Sequence, residues 1–346
     1  MIKSILVAFV VLVFLQCASS KPANAQVGNE CWTWVYCGAY SLWNVECVPP
    51  MPPTAFDCQG IAFEWTVVCR VMTSSCAPAA GGPETGGGPC QRCLGGKPIS
   101  FASGNTWIKE TDIRIPGLSG GLSLDRTWNS LWPSTQTAYQ MGLFGPNWKS
   151  TYEERVFAGA DGYMKYARSD GSFWSFGYSS NATFKVAAPA NVSATLVQNP
   201  TNWVLTFENG EQRVFDGTTG ALTAIVDRNG NTTQLSYDGS ARLTTVTDPV
   251  SRHLYFNYNG SGALIASVTS DFGVTVSYSY DSQGRLSQVT EPDGSTLNFQ
   301  YDSNSFVSAV LDSQGKVLEA HTYDSSGRGL TSSRANGVEA VTVSYQ

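Results

Sequence analysis

Residues 280–286 read Tyr-Asp-Ser-Gln-Gly-Arg-Leu, and the phrase returns at 323–328 as Tyr-Asp-Ser-Ser-Gly-Arg. Around these two, Tyr-Asp or Tyr-Asn pairs stand at Tyr237-Asp238, Tyr258-Asn259, Tyr280-Asp281, Tyr301-Asp302 and Tyr323-Asp324, spaced 21, 22, 21 and 22 residues apart. The same ruler reaches Tyr345 going forward and Phe215-Asp216 going back. A fixed internal period of this length marks stacked supersecondary units.

Each unit reads as two short strands and two turns. Before each tyrosine apolar residues alternate, as in Leu254, Phe256, Tyr258 and in Val276, Tyr278, Tyr280, with Asn257, Ser277 and Ser279 between them. A period of two puts one set on a buried face and the other on an exposed face of a strand. The turn after the tyrosine offers an aspartate that accepts from backbone N–H groups two residues on. Gly284 and Gly327 then supply the positive φ that a bulged hairpin loop wants. Second strands follow at Leu243/Val246, Leu286/Val289 and Val307/Val310, and second turns at Asp227–Asn231, Asp293-Gly294 and Asp312–Gly315. Helix is excluded because Gly, Asp248-Pro249 and Glu291-Pro292 interrupt the stretch about every ten residues.

These residues carry a resemblance. Tyr280–Leu286, with Gly284-Arg285 echoed by Gly327-Arg328, resembles the Rhs/YD-repeat family over about 130 residues. The resemblance implies a long β-sheet that spirals into a hollow shell. In that family further repeats complete the shell, a core segment closes it, and a variable C-terminal toxin is held inside. This chain departs from the pattern at Gly239-Ser240-Ala241, at Asn259, and at Ser305-Phe306 in place of Gly-Arg. From Gly96 another set of motifs runs in order: Pro98 to Gly104, Glu110-Thr111-Asp112, Arg126-Thr127-Trp128-Asn129-Ser130, and Gly145-Pro146-Asn147-Trp148. They resemble the domain of unknown function that precedes the repeats in Rhs proteins, with Trp128 where tyrosine is usual.

The front of the chain is different. Lys3, the apolar run Ile5–Leu15 and the small-residue site Ala23-Asn24-Ala25 form a secretory signal pattern, cut before Gln26. The run is too short for a bilayer, which needs about 20 residues. Cys17 lies within the signal. The other eight cysteines, Cys31, Cys37, Cys47, Cys58, Cys69, Cys76, Cys90 and Cys93, all precede residue 94. An even, dense set in an exported chain reads as a disulfide framework, with 105 possible pairings. Cys90-x-x-Cys93 has no second pair at metal-ligand spacing and no nearby histidine, so a structural bridge is the better reading.

Charged residues make up 14% of the chain and the net charge is −6. Loss of Lys3 and Lys21 with the signal makes it −8. With no basic patch, nucleic acid and anionic membrane surfaces are poor partners. Four N-x-S/T sequons, at Asn181, Asn191, Asn231 and Asn259, point to surface loops. The catalytic inventory is thin: His253 and His321 are the only histidines, and no nucleophile elbow, zinc motif or phosphate loop is present. Glu153 and Glu154, read on a strand Thr151 to Val156, point to opposite faces and cannot form an acid/base pair; solvated or hydrogen-bonded roles are expected of them.

The sequence therefore predicts an all-β chain in which tandem β-hairpin YD repeats form a curved antiparallel sheet, a partial shell. Its parts are a signal peptide (1–25), a disulfide-rich module (26–93), a β-rich domain with connector (94–204) and the repeats (205–346). About twelve repeat strands at roughly 4.8 Å make a strip near 58 Å wide, too narrow to wrap a 100-residue cargo. The expected role is a non-enzymatic exported scaffold with no cofactor, and no transmembrane helix in the mature chain. Its expected partners are the remainder of a longer shell and its cargo. The alternative is a secreted or surface adhesin that binds glycans.

Overall fold

The computed structural model describes residues 24–27, 30–37, 67–72, 94–95, 99–100, 103–131, 141–159, 162–189, 191–260 and 262–345. The chain divides into two compact units: Met1–Pro78 with Gly159–Gly162, and Ala79–Ala158 with Tyr163–Gln346. The first unit holds a three-stranded antiparallel sheet of Asn24–Val27, Glu30–Cys37 and Val67–Met72. Cys31, Cys37 and Cys69 lie on these strands, and the expected cleavage junction Ala25–Gln26 lies in the first of them. The signal segment before residue 24 and Cys47, Cys58, Cys76, Cys90 and Cys93 lie outside the described residues.

In the second unit, one antiparallel sheet of 19 strands runs from Arg155–Ala158 to Val341–Thr342, each strand paired with the next in sequence. Alternation sets its faces. Leu254 and Phe256 are buried while Tyr255 and Asn257 between them are exposed, and Val276 and Tyr278 repeat the pattern against Ser277. Each fully buried aliphatic contributes about 1.5–3 kcal/mol. The repeats from Gln212 onward supply 13 of these strands, close to the expected dozen, and hairpins from Arg155 onward add six more to the same sheet. The division expected between residues 204 and 205 falls inside the strand Asn202–Phe207. Ladder hydrogen bonding ignores the change in sequence pattern there, since any extended backbone of matching register can join.

A smaller sheet packs on the apolar face of the long one. Its order is Trp148–Ser150, Leu122–Asn129, Trp107–Ile115, and its Ile108, Leu122, Leu124, Trp128 and Trp148 share one core with the repeats. The expected strand from Thr151 to Val156 is not formed: residues 151 and 152 turn, 153 and 154 are irregular, and the strand is Arg155–Ala158. The long sheet also curls. Arg155 bridges Ala221, and the Val156 N–H donates to the Gly220 carbonyl at 3.0 Å, so the first strand meets the turn between the seventh and eighth.

The turn after each tyrosine requires a left-handed residue. Gly284 and Gly327 sit at φ 75° and 83°, whereas Ala241 and Ser305 hold the same place at 58° and 70°. A side chain there costs roughly 1–2 kcal/mol, of which glycine's extra chain entropy gives back roughly 0.5–1. Ala241→Gly and Ser305→Gly should each raise stability by about 0.5–1 kcal/mol in denaturant titrations. Gly327→Ala should lower it by more than Gly284→Ala, because its Cβ would meet the Phe306 ring at 2.7 Å.

Candidate functional site

The arrangement that recurs along the chain is a Tyr–Asp–Arg lattice, and it begins in the turn. Asp281 Oδ1 accepts the N–H groups of Gln283 and Arg285 at 2.9 and 3.0 Å, while its Oδ2 accepts Arg285 Nε at 2.7 Å. Held this way, the Arg285 guanidinium lies over the ring of Tyr301 in the next repeat, 4.5 Å from its centroid. Asp238 likewise holds Arg242 over Tyr258 at 4.7 Å, and Asp324 holds Arg328 over Tyr345 at 4.3 Å. Where Phe306 replaces arginine, its ring covers Tyr323 at 5.1 Å instead. Asp302 keeps the turn, accepting from the N–H groups of Asn304 and Phe306.

Each tyrosine sits at a β-bulge. The register shifts between Ser279 and Tyr280, so Tyr280 faces Leu286 across the hairpin. The Leu286 carbonyl then accepts the hydroxyl of Tyr301 at 2.8 Å. The same bond links Tyr237 to Leu222, Tyr258 to Leu243, Tyr280 to Ile265, Tyr323 to Val307 and Tyr345 to Gly329, at 2.6–2.8 Å. Each repeat is thereby tied to the one before it. Burial pushes the Tyr301 phenol up to about 12, so it remains a donor at neutral pH. The Arg242 backbone N–H and then its side chain hold the Asp238 carboxyl below its ordinary value.

The preceding domain docks on the inner positions of this lattice. Tyr152 meets Phe256, Phe144 meets Tyr278, Trp148 meets Phe299 and Trp128 meets Tyr323, with centroids 4.7–6.1 Å apart and rings edge to face. Two carbonyls of the domain also take sheet N–H groups at the bulge line, Leu143 from Ile265 at 3.0 Å and Gly104 from Gly329 at 2.8 Å. At the centre Arg126 is fully buried and forks onto Asp112 through Nε at 2.5 Å and Nη2 at 2.7 Å. Burial works against the Arg126 charge, but the Asp112 carboxylate beside it keeps the guanidinium protonated. Tyr278 donates its hydroxyl to Asp112 Oδ2 at 2.6 Å.

Glu154 is buried and Glu153 half-buried, and both take the hydrogen-bonded role expected of them. Glu153 accepts from Leu143 N–H and Ser150 Oγ, whereas Glu154 accepts from Tyr166 Oη and Arg213 Nε, so the two carboxyls serve different neighbourhoods. Burial raises both, against the pull of Lys149 on Glu153 and of Arg213 on Glu154. Burial also raises Glu291, to about 7, with the Asp112 carboxylate adding to the effect. Among the described residues no three His, Cys, Asp or Glu side chains are grouped to hold a metal.

Sequence reasoning missed two features. The arginine cover over Tyr258, Tyr301 and Tyr345 was invisible because the arginine belongs to one repeat and the ring to the next. The second is Glu319 with His321, both 3% exposed and 3.5 Å apart, standing where other repeats place Leu254 and Phe256 or Leu297 and Phe299. Aligning the repeats by their tyrosines would have exposed that substitution.

Residues 96–176 match a domain of unknown function, DUF6531, and residues 207–346 match the Teneurin YD-shell family. The tRNA nuclease WapA of Bacillus subtilis strain 168 is 31% identical over 146 residues, 42% of this chain and 6% of that protein. The tRNA3(Ser)-specific nuclease WapA of Bacillus spizizenii is 32% identical over the same shares. The chain thus spans about 6% of the length of these relatives. Among solved structures, TcdB2-TccC3-Cdc42 aligns with a TM-score of 0.30 and 12% identity, over 66% of this chain and 15% of that one. The Photorhabdus luminescens Tc holotoxin pore aligns with a TM-score of 0.29 and 13% identity, over 55% and 12%.

Tyr301→Phe should cost about 1 kcal/mol, the net worth of one hydrogen bond. Arg285→Ala should cost about 1–2 kcal/mol, combining its partly exposed ion pair with the ring contact. Both are read from denaturation midpoints. Two opposite pH responses are also expected. The folded-state carboxyl of Asp238 lies below its ordinary 3.8, so its contribution is present above that pH and is lost as pH falls through the folded value. Glu291, raised from 4.5 to about 7, binds its proton more tightly in the folded state, so stability falls as pH rises from 4.5 to 7. Glu291→Gln should flatten that second slope in thermal melts taken across the range.

Proposed function

We propose that this chain, whose residues 207–346 match the YD-shell family and whose residues 96–176 match DUF6531, is the front of an exported, non-enzymatic Rhs-type shell. In this reading the long sheet is wall, and the domain of residues 99–154 is a plug seated on its inner face. The shell would enclose or present a polypeptide effector carried further along the protein. The observation that supports it best is the one-sided docking. Consecutive repeats offer Phe256, Tyr278 and Phe299 inward to one preceding domain, while the outward positions of the same strands are polar apart from Tyr255.

Size limits what these strands do alone. Nineteen strands at about 4.8 Å give roughly 91 Å of wall, or a ring about 29 Å across. Side chains take about 10 Å of that bore. A 100-residue domain, with a radius of gyration near 13 Å, needs more room, so enclosure requires further wall. The repeats' tyrosines, aspartates and arginines are engaged in holding that wall, which supports a scaffold rather than a catalyst.

A second reading, a glycan-binding adhesin, draws on one outward group. Tyr255, 38% exposed, stacks with His253, and Asp271 bonds both side chains. Such an aromatic surface suits a sugar ring.

The test is to sequence the coding DNA past Gln346, then express the whole reading frame and image it. Further Tyr-Asp units and a hollow particle that shields a C-terminal segment from protease are expected. An early stop codon, or a tail digested as fast as free peptide, would overturn the shell reading. Retention of the protein on a polysaccharide gel, lost in Tyr255→Ala, would then favour the adhesin.

A further inference from the structure

The inner face of a repeat sheet poses a problem of register. Its docking residues recur every two strands, about 9.6 Å, and apolar contact alone is satisfied almost as well one repeat up or down. The preceding domain meets this face through rings at Tyr152, Phe144, Trp148 and Trp128, none of which distinguishes Phe256 from Phe299. Two contacts do distinguish: at the rim the Arg252 guanidinium donates to the Pro116 carbonyl at 2.9 Å, and in the core Asp112 takes a phenol hydroxyl. Two residues before each repeat tyrosine stand Leu235, Phe256, Tyr278, Phe299 and His321, and of these Tyr278 alone carries a phenol hydroxyl.

We infer that Asp112, Arg126 and Tyr278 form a register key that fixes which repeat the domain engages. Asp112 comes from the strand Trp107–Ile115, at the register shift between Thr111 and Ile113, and Arg126 from the neighbouring strand Leu122–Asn129, where it faces Glu110; the side chains of Asp112 and Arg126 are fully buried. Trp148, Phe144, Tyr278 and Phe299 surround the guanidinium at 4.9–6.0 Å. In this apolar box Asp112 takes two bonds from Arg126 and one from Tyr278, the last spanning 166 positions of sequence. Shifted by one repeat, Asp112 would face Phe256 or Phe299 and lose a donor while still buried. A buried acceptor without its donor is disfavoured, and a buried ionic group is well suited to selecting one packing among several. This gives a role to the Glu-x-Asp and Arg-x-Trp-Asn-Ser motifs that the sequence marks but does not explain. It rests on the docking geometry and is independent of whether the sheet belongs to a closed shell.

The test uses the full chain with a photo-crosslinking residue in place of the half-buried Leu143, whose carbonyl accepts from Ile265. In the parent, cross-links should map to the segment around Ile265. The exchange Tyr278→Phe/Phe299→Tyr moves the hydroxyl one repeat onward, and a fraction of cross-links should move to the segment around Leu286. Asp112→Leu/Arg126→Met/Tyr278→Phe should melt within about 5 °C of the parent yet spread its cross-links over Leu243, Ile265 and Leu286. Cross-links confined to Ile265 in the exchanged variant would overturn the inference, whatever the triple variant does. The exchanged variant changes only one hydroxyl at each site, so it reads out even if the triple variant fails to fold.

Discussion

The structure depends on a hydrogen bond from each repeat's tyrosine hydroxyl to a carbonyl in the repeat before it. A bulge opposite every such tyrosine leaves one residue unpaired, Ser287 in the case of Tyr280, and the residue before it, which pairs with the tyrosine, gives its carbonyl to the hydroxyl of the next repeat. Six such bonds run from Tyr237 to Tyr345. At about 1 kcal/mol each, their sum is comparable to the net stability of a typical domain, about 5–15 kcal/mol. The bulge line also serves the neighbouring domain, since the N–H groups of Ile265 and Gly329 on it go to that domain's carbonyls.

Around this bond the other signature residues take complementary parts. The aspartate closes the turn through backbone N–H groups and fixes the arginine four residues on. The arginine shields the next tyrosine from water, which strengthens the bond beneath it. The wall tolerates imperfect copies because the parts are separable: Phe306 covers Tyr323 without a charge, and Asp216 makes its turn beside Phe215, which has no hydroxyl to give. A repeat sheet stabilised between neighbours in this way behaves as a nearly one-dimensional array. Individual substitutions weaken a local joint rather than the whole.

The domain of residues 99–154 supplies what the array lacks, a reason to stop at one arrangement. Its aromatic side chains fill the inner face, and Glu153 and Glu154 brace its exit into the first strand of the sheet. Burial and the Asp112 carboxylate together raise Glu291.

By itself the sequence determined the hairpin unit, its period, the face its tyrosines share and the turns that need glycine. Those features rest on bonds spanning two to four residues or on strict alternation, so each unit carries them locally. It also located the docking domain through its ordered motifs. Tertiary structure decided the rest. The sheet reaches back to Arg155 because backbone pairing needs matching register and no repeated side chains. The covers over Tyr258, Tyr301 and Tyr345 depend on arginines from neighbouring repeats. The burial of Glu319 and His321 and the pairing of Asp112 with Tyr278 join groups far apart in sequence, where no local pattern records which of several equivalent repeats will be met.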